Sequence, residues 1–281
     1  MTTIDHKIQP VIETTQERFA FGNNWANFAS EMPVQRIEAA VASLREKLGD
    51  LTGESFLDIG SGSGLHSLAA VRLGASRVYS FDYDRDSVAT TQRLRMAFAS
   101  NADWKVEQGS ALNETYLRSL SVFDVVYSWG VLHHTGDMWK ALELAAIPTK
   151  AGGRLFVSIY NDQGKSSDRW KRMKKMYVNG NSATRRLLEL FVWCDGWGKS
   201  FLRDIVKLRP TRTWKSYRSY SGQRGMSPWH DVVDWAGGYP FEVAKPEEIF
   251  EFFRVRGFVL EKLKTCGGGL GCNEFVFRRE R

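Results

Sequence analysis

The sequence predicts an α/β protein built on a doubly wound parallel sheet, and three observations carry that expectation. Between about residues 55 and 160, short apolar runs alternate with amphipathic helical patterns, the rhythm of a sheet covered on both faces. The first run ends in "FLDIGSGSGL", residues 56 to 65, a glycine-rich turn leading from strand into helix. The second ends in an acid, Asp82 of "VYSFDYD".

Taken in order, residues 1–30 are mixed, with an aromatic cluster in "RFAFGNNWANF". "MPVQRIEAAVASLREKLG" follows as a helix: Val34, Ile37, Val41, Leu44 and Leu48 recur at three- and four-residue steps, Pro33 suits its first turn and Gly49 its stop. Strands are expected at Ser55–Ile59, Arg77–Phe81, Trp104–Val106, Phe123–Trp129 and Arg154–Tyr160, with helices at Leu65–Leu73, Arg85–Ala99 and Asp137–Ala146 between them. The rhythm breaks near residue 161, and patchy helical periodicity runs to about 240. "KPEEIFEFFRVRG" restores it as a helix opened by Pro246 and closed by Gly257. "FVLEKL" and "NEFVFRR", joined by the short "KTCGGGLGC", then read as an antiparallel hairpin at the sheet edge. The whole is expected to be a single domain of 1–281: an N-terminal cap and helix (1–50), a core (51–160), an insertion (161–240) and a closing helix and hairpin (241–281).

Composition narrows the class. No apolar run approaches the roughly 18–20 residues a bilayer-spanning helix needs. The N-terminus lacks the charged head and apolar stretch of a secretory signal. Three cysteines (Cys194, Cys266, Cys272) make no disulfide framework, so the expectation is a cytoplasmic protein. The net charge of +7 is unevenly spread: residues 165–225 hold sixteen Lys/Arg against four Asp/Glu, and the remainder of the chain is net −5.

The glycine turn has the spacing Asp58-x-Gly60-x-Gly62-x-Gly64. It lacks a glycine at position 65, as the dinucleotide fingerprint requires, and a lysine, as a phosphate-cradling loop requires. A carboxylate just before the turn suits a cation, and Asp82 stands where an acid can take both ribose hydroxyls, with Tyr83 beside it to pack on a base. An ordinary tight turn with a solvated acid is the alternative. On "LDIGSGSG", Asp82 and "FDVVYSWGVLHHT", the chain resembles the class I S-adenosylmethionine-dependent methyltransferases from about Ser55 to Tyr160 and in the closing hairpin. The resemblance implies a Rossmann-like seven-stranded sheet of order 3-2-1-4-5-7-6 with the last strand antiparallel. It implies S-adenosyl-L-methionine as cofactor, held by Asp58, Gly60, Ser61, Gly62, Gly64, Asp82 and Tyr83, and by Ser128 and Trp129 after strand four. "FGNNWANF" looks like an N-terminal cap over the cofactor, which adds Trp25, or reads as a simple aromatic anchor for the first helix. After strand three the chain departs from the family: "EQGSALN" offers Ser110 and Ala111 to the adenine where an acid is frequent.

In an open sheet the second substrate lies beyond the carboxyl ends of the strands. Methyl transfer from a sulfonium needs an in-line nucleophile and exclusion of water, and an O or N nucleophile gains from a base near neutral pKa. His134, His133 and His230 are the candidates, the last with Asp231 or Asp234 as its orienter; the first two are also readable as site wall, and the segment around His230 as an aromatic hinge anchoring the insertion. Tyr160, Asn161, Trp229, Asp231, Cys266 and Gly268 are candidate substrate contacts from the segments that leave the same edge. No metal site is expected, since Cys266 and Cys272 have no second ligand pair.

Cations interleaved with Trp and Tyr in the insertion admit four readings: a helical lid with a solvated outer face, a site for a phosphorylated, nucleotide-linked or carrier-linked acceptor, nucleic-acid binding, or membrane-surface docking by "RRLLELFVWCDGWGKSFL". The reading adopted is a methyltransferase of small, anionic or carrier-linked metabolites in which the insertion is a lid and "KRMKK" (Lys171, Arg172, Lys174, Lys175) supplies counter-charge. A nucleic-acid methyltransferase is the runner-up and a non-catalytic cofactor-binding protein the third class; oligomeric state is left open.

Overall fold

The computed structural model describes residues 34–207, 213, 215 and 228–281, without the side chains of Pro228 and His230. The expected cap around Trp25 and the His230 side chain therefore lie outside the described residues. Helix α1 (Val34–Leu48) buries Ile37, Ala40, Leu44 and Leu48, the stripe its spacing predicts. The core then alternates through β1 (Ser55–Ile59), α2 (Leu65–Arg72), β2 (Arg77–Asp82), α3 (Arg85–Phe98), β3 (Trp104–Gln108), α4 (Glu114–Ser119), β4 (Phe123–Trp129), α5 (Met138–Ala146) and β5 (Thr149–Tyr160). The insertion adds α6 (Lys165–Asn179), α7 (Ser182–Trp193), α8 (Lys199–Val206) and α9 (Pro228–Gly237), and the chain closes with α10 (Pro246–Arg254), β6 (Phe258–Lys264) and β7 (Cys272–Arg279).

The seven strands lie in the order β3-β2-β1-β4-β5-β7-β6. β7 runs antiparallel to both β5 and β6, while the other pairs are parallel. Two apolar layers cover the sheet. One joins its face to α4, α5 and α10 through Leu117, Leu142, Ile249 and Phe253. The other joins the opposite face to α1, α2 and α3 through Leu44, Leu68 and Leu94. Strand alternation divides the side chains between them: Leu57 and Ile59 face the first layer, Phe56 the second.

Two differences from the sequence reading have local causes. β5 begins at Thr149 rather than Arg154, because "KAGG" enters the sheet through an irregularity opposite Phe123–Val125. A Cβ on Gly153 would lie 2.8 Å from the Lys150 carbonyl and 3.0 Å from that of Asp124, so the glycine permits the tight entry instead of ending the strand. Helix α4 was not foreseen; it is short, and Asn113 starts it by accepting the Tyr116 amide.

The insertion is helical and has its own small core of Trp170, Tyr177, Val192, Val232, Ala236 and Phe241. Tyr160 at the end of β5 packs against that core, which joins the insertion to the carboxyl edge of the sheet. The register Asp58↔Ser80 and Ser128↔Val157 brings the carboxyl ends of β1, β2, β4 and β5 level along that edge.

Candidate active site

The glycine turn leaves β1 with positive φ at Gly60 (+78°), Gly62 (+54°) and Gly64 (+80°). Two of these glycines answer to the protein's own packing. A Cβ on Gly60 would stand 2.5 Å from both methyls of Val131, and one on Gly64 would stand 2.8 Å from the Thr91 methyl. Gly62 donates its amide to Asp82 Oδ2 at 2.8 Å, so the turn and the end of β2 are directly joined. The Asp84 amide takes the other Asp82 oxygen at 2.9 Å, and Asp84 itself caps α3. Burial raises Asp82 to about 6, opposed by these two amides.

Asp58 is turned inward and only 3% exposed. Its Oδ2 accepts from Ser67 at 2.5 Å; Ser67 meets Ser80 at 2.7 Å, and the Trp104 indole donates to Ser80 at 2.8 Å. Burial raises Asp58 to about 7 against the pull of Ser67. Helix α2 begins at Gly64 with no side-chain cap, a helix N-terminus suited to a carboxylate. An uncapped helix start beside a buried acid and a half-buried one offers amide donors and carboxylate acceptors to an amino acid joined to a nucleoside, and the residues present fit S-adenosylmethionine.

The remaining residues expected near the cofactor are spread around this turn. Ser61 is buried and hydrogen-bonds the Thr91 hydroxyl at 3.1 Å. Tyr83 is half-exposed beyond Asp82. Ser110 accepts the Leu112 amide at 3.2 Å, and Ala111 is in the core layer. Ser128 is buried and donates to the Ile59 carbonyl, tying β4 to β1. Trp129 is 44% exposed, and its indole shares Glu274 with Lys47, each at 3.0 Å.

Beyond β4 the chain makes a single helical turn, Leu132–His134, against the end of β5. His133 is fully buried, its ring 4.1 Å from that of Tyr160 and 4.5 Å from that of His134. Neither His133 nitrogen makes a well-formed hydrogen bond among the described residues. Burial holds its pKa well below the ordinary range, with the His134 and Lys174 charges acting in the same direction. His134 Nδ1 lies 2.6 Å from the Pro240 carbonyl, which can only accept, so that nitrogen carries the proton. Burial lowers His134 to about 4.

The segment from Trp235 to Ala244 forms a strap over this turn. His134 holds it at Pro240, the His133 carbonyl accepts the Glu242 amide at 3.0 Å, and the Glu242 carboxylate accepts the Met138 amide at 3.0 Å. On its other side Lys174 of α6 donates to the Trp235 carbonyl and sits 3.9 Å from the Trp235 ring centre. Lys174 is 0% exposed and lowered to about 7 by burial, against the attraction of Asp234. This corrects its placing among the lid's counter-charges: it is part of the wall, while Lys171, Arg172 and Lys175 are exposed. Its place on the stripe Trp170–Lys174–Tyr177 was a signal, since those spacings put all three on one helix face. Glu242 and Pro240 were also missed, because only the fold brings them against the His133–His134 turn.

Asn161 and the 265–271 loop complete the edge. Asn161 receives the Asn273 amide at 3.0 Å and donates to Gly269, while Gln163 donates to Gly268. Cys266 and Cys272 are free thiols, and burial raises Cys272 to about 11. Trp229 is 37% exposed on α9 and Asp231 follows it on the same helix. Among the described residues no group of three or more His, Cys, Asp or Glu is placed to hold a metal ion.

A sheet of this order, with a glycine turn and a second acid at adjacent strand ends, defines the class I S-adenosylmethionine-dependent methyltransferases. The chain belongs to that class, with residues 29–196 matching the methyltransferase domain family. S-adenosylmethionine is its cofactor. It is 24% identical over 188 residues to the ubiquinone biosynthesis O-methyltransferase of Klebsiella pneumoniae (strain 342), covering 63% of this chain and 75% of that protein. Its fold is shared with magnesium protoporphyrin IX methyltransferase from Synechocystis PCC 6803 with bound SAH, at 17% identity and TM-score 0.52 over 92% of this chain and 94% of the other. The S-adenosylmethionine-dependent methyltransferase from Mesorhizobium loti aligns at 15% identity and TM-score 0.51, over 86% and 100% of the two chains.

Proposed function

We propose that the protein methylates an acidic hydroxyl, phenolic or enolic, on a small molecule drawn to the site by the basic insertion. The observation that carries this reading is the pair of buried imidazoles at the carboxyl ends of β4 and β5, both held neutral and weakly basic. An imidazole held below its ordinary range is badly matched to an aliphatic alcohol, which is about as weakly acidic as water, and better matched to a phenol, near 10. The O-methyltransferase names among the relatives support the same acceptor atom.

The cofactor supplies an electrophilic methyl group on a sulfonium. The chain's own residues then divide the work. The Gly60–Gly64 turn and the α2 N-terminus take the amino-acid end, Asp58 lies beneath it, and Asp82 takes the ribose hydroxyls with Tyr83 packing beyond. His133, which lies between Tyr160 and His134, takes the acceptor proton. His134 acts as a positioning residue that pins the strap, and Tyr160 and the strap keep water away. Helices α6–α9 serve as the lid, and Lys171, Arg172 and Lys175 supply counter-charge.

Calorimetry and turnover on a matched set of phenols and aliphatic alcohols test this. Asp82→Ala is expected to weaken cofactor binding by about 1.5–3 kcal/mol, the scale of a charge-assisted hydrogen bond. His133→Asn is expected to leave cofactor affinity intact and lower kcat by about a hundredfold, with the residual rate rising with pH as the acceptor ionises unaided. Equal turnover of aliphatic alcohols, or an unchanged His133→Asn pH profile, would overturn the reading.

A further inference from the structure

Residues 182–206 form one continuous helical rod: α7 passes through a π-helical turn, Cys194–Gly198, directly into α8. Its inner side is fixed to the protein. Glu189 accepts the Tyr177 hydroxyl at 2.8 Å, Val192 lies in the insertion core, and Asp204 accepts the Thr213 amide and hydroxyl at 2.7 and 2.5 Å. The outer side is apolar. Leu187, Leu190, Phe191, Leu202, Ile205 and Val206 are between 45% and 76% exposed. They recur at three- and four-residue steps within each half, so they share the face turned away from Glu189, Val192 and Asp204. A contiguous apolar stripe of this extent marks a contact surface.

The charges beside it indicate what covers it. Arg186, Lys199, Arg203 and Lys207 flank the stripe and are exposed, whereas Arg185 turns inward to the Tyr177 and Val178 carbonyls. The acids of the rod are Glu189, Asp195 and Asp204: Glu189 and Asp204 are buried, Glu189 is paired with Arg186, and Asp195 is paired with Lys199, which leaves Arg203 and Lys207 in excess. The outer side therefore offers apolar surface between cations. A second copy of this chain would bring two like-charged segments together, an arrangement that repels. No described helix is long and apolar enough to cross a membrane, and the inward acids keep this rod on one side of it.

We infer that the 182–206 rod docks on the surface of an anionic lipid bilayer, lying in its plane with the Leu187–Val206 stripe in the headgroup–acyl boundary and the flanking cations on lipid phosphates. The inference is independent of the acceptor's identity. Sedimentation of the full chain with vesicles tests it, using phosphatidylcholine alone and phosphatidylcholine mixed with phosphatidylglycerol. The parent protein sediments with the mixed vesicles and much less with the neutral ones, and added salt releases it. Leu190→Glu with Ile205→Glu reduces the bound fraction at least tenfold while calorimetry shows unchanged cofactor affinity, which reports an intact core. Lys199→Glu with Lys207→Glu weakens binding to the mixed vesicles only. The inference fails if the parent stays in solution with both vesicle types, or if the Leu190→Glu, Ile205→Glu protein sediments as the parent does. It also fails if light scattering shows a dimer that these substitutions dissociate and vesicles do not bind.

Discussion

Lys174 is a charged residue kept where charge is costly, and that cost has a definite pH signature. Its amine has a pKa of about 7 in the folded protein, against the ordinary lysine value of about 10.4 when unfolded. Below pH 7 both states hold the proton and the folded state bears the whole burial cost. Between about pH 7 and 10.4 the unfolded chain binds a proton that the folded chain does not, so stability rises with pH at up to about 1.4 kcal/mol per unit. Urea unfolding of the parent and Lys174→Met at pH 6.5, 8 and 9.5 should show the parent gaining on the variant by a few kcal/mol across that window. A constant difference between the two would place the proton elsewhere. At this scale the sequence was only partly legible. Asp58 and Asp82 could be picked out because spacing relative to a strand end fixes their position. Lys174 was masked by its neighbours in "KRMKK", where four cations look alike until a helix phase separates one inward position from three outward ones.

The glycine turn and the insertion are the elements on which the proposed binding depends, and they answer to different tests. Gly60 combines a φ of +78° with a methyl-to-Val131 approach that leaves no room for a side chain. Gly60→Ala must therefore shift either the turn or the Leu132–His134 turn that follows Val131, at a cost of at least about 1–2 kcal/mol from the left-handed backbone alone. Thermal unfolding should register that loss, and calorimetry should register a parallel loss of cofactor affinity; a variant unchanged in both would show that the turn relaxes freely. For the insertion, screening over a Debye length of about 8 Å at physiological salt should raise the apparent KM for an anionic acceptor with little change in kcat. Reversing Lys171, Arg172 and Lys175, and leaving the buried Lys174 in place, should act in the same direction. Salt-independent KM with an unaffected charge-reversed protein would mean that these cations serve only as solvated surface. The helices of the insertion were poorly legible because their apolar residues fall on two faces, one against the Trp170–Phe241 core and one outward. No single stripe dominates the pattern.

Across the whole molecule, the sheet was the most legible feature. Each strand between β1 and β5 is a short apolar run followed by a helical period, and burial on both faces leaves little freedom of register. The β6–β7 hairpin announced itself by its short glycine-rich link. The strap remained hidden, because its partners His133, His134, Met138 and Lys174 are distant from it in sequence and meet it only after the sheet has formed. Replacing residues 162–243 by a short linker should accordingly leave the sheet folded and S-adenosylmethionine bound, while acceptor turnover is lost. Circular dichroism, calorimetry and a turnover assay on the shortened chain would check each part, and full turnover would exclude a lid role.

The chain leaves the sheet at Asn161 and comes back at Ala244, and these two residues are bridged to each other, with Ala244 donating to the Tyr160 carbonyl at 3.0 Å and accepting from Asp162 at 3.1 Å. Departure and return thus share one doorway. Whatever is threaded between its posts can lengthen, shrink or be exchanged for an unrelated sequence without moving a single strand. If the insertion chooses the acceptor as proposed, that part of the gene is free to drift at its own pace, while the part proposed to hold the methyl donor stays put.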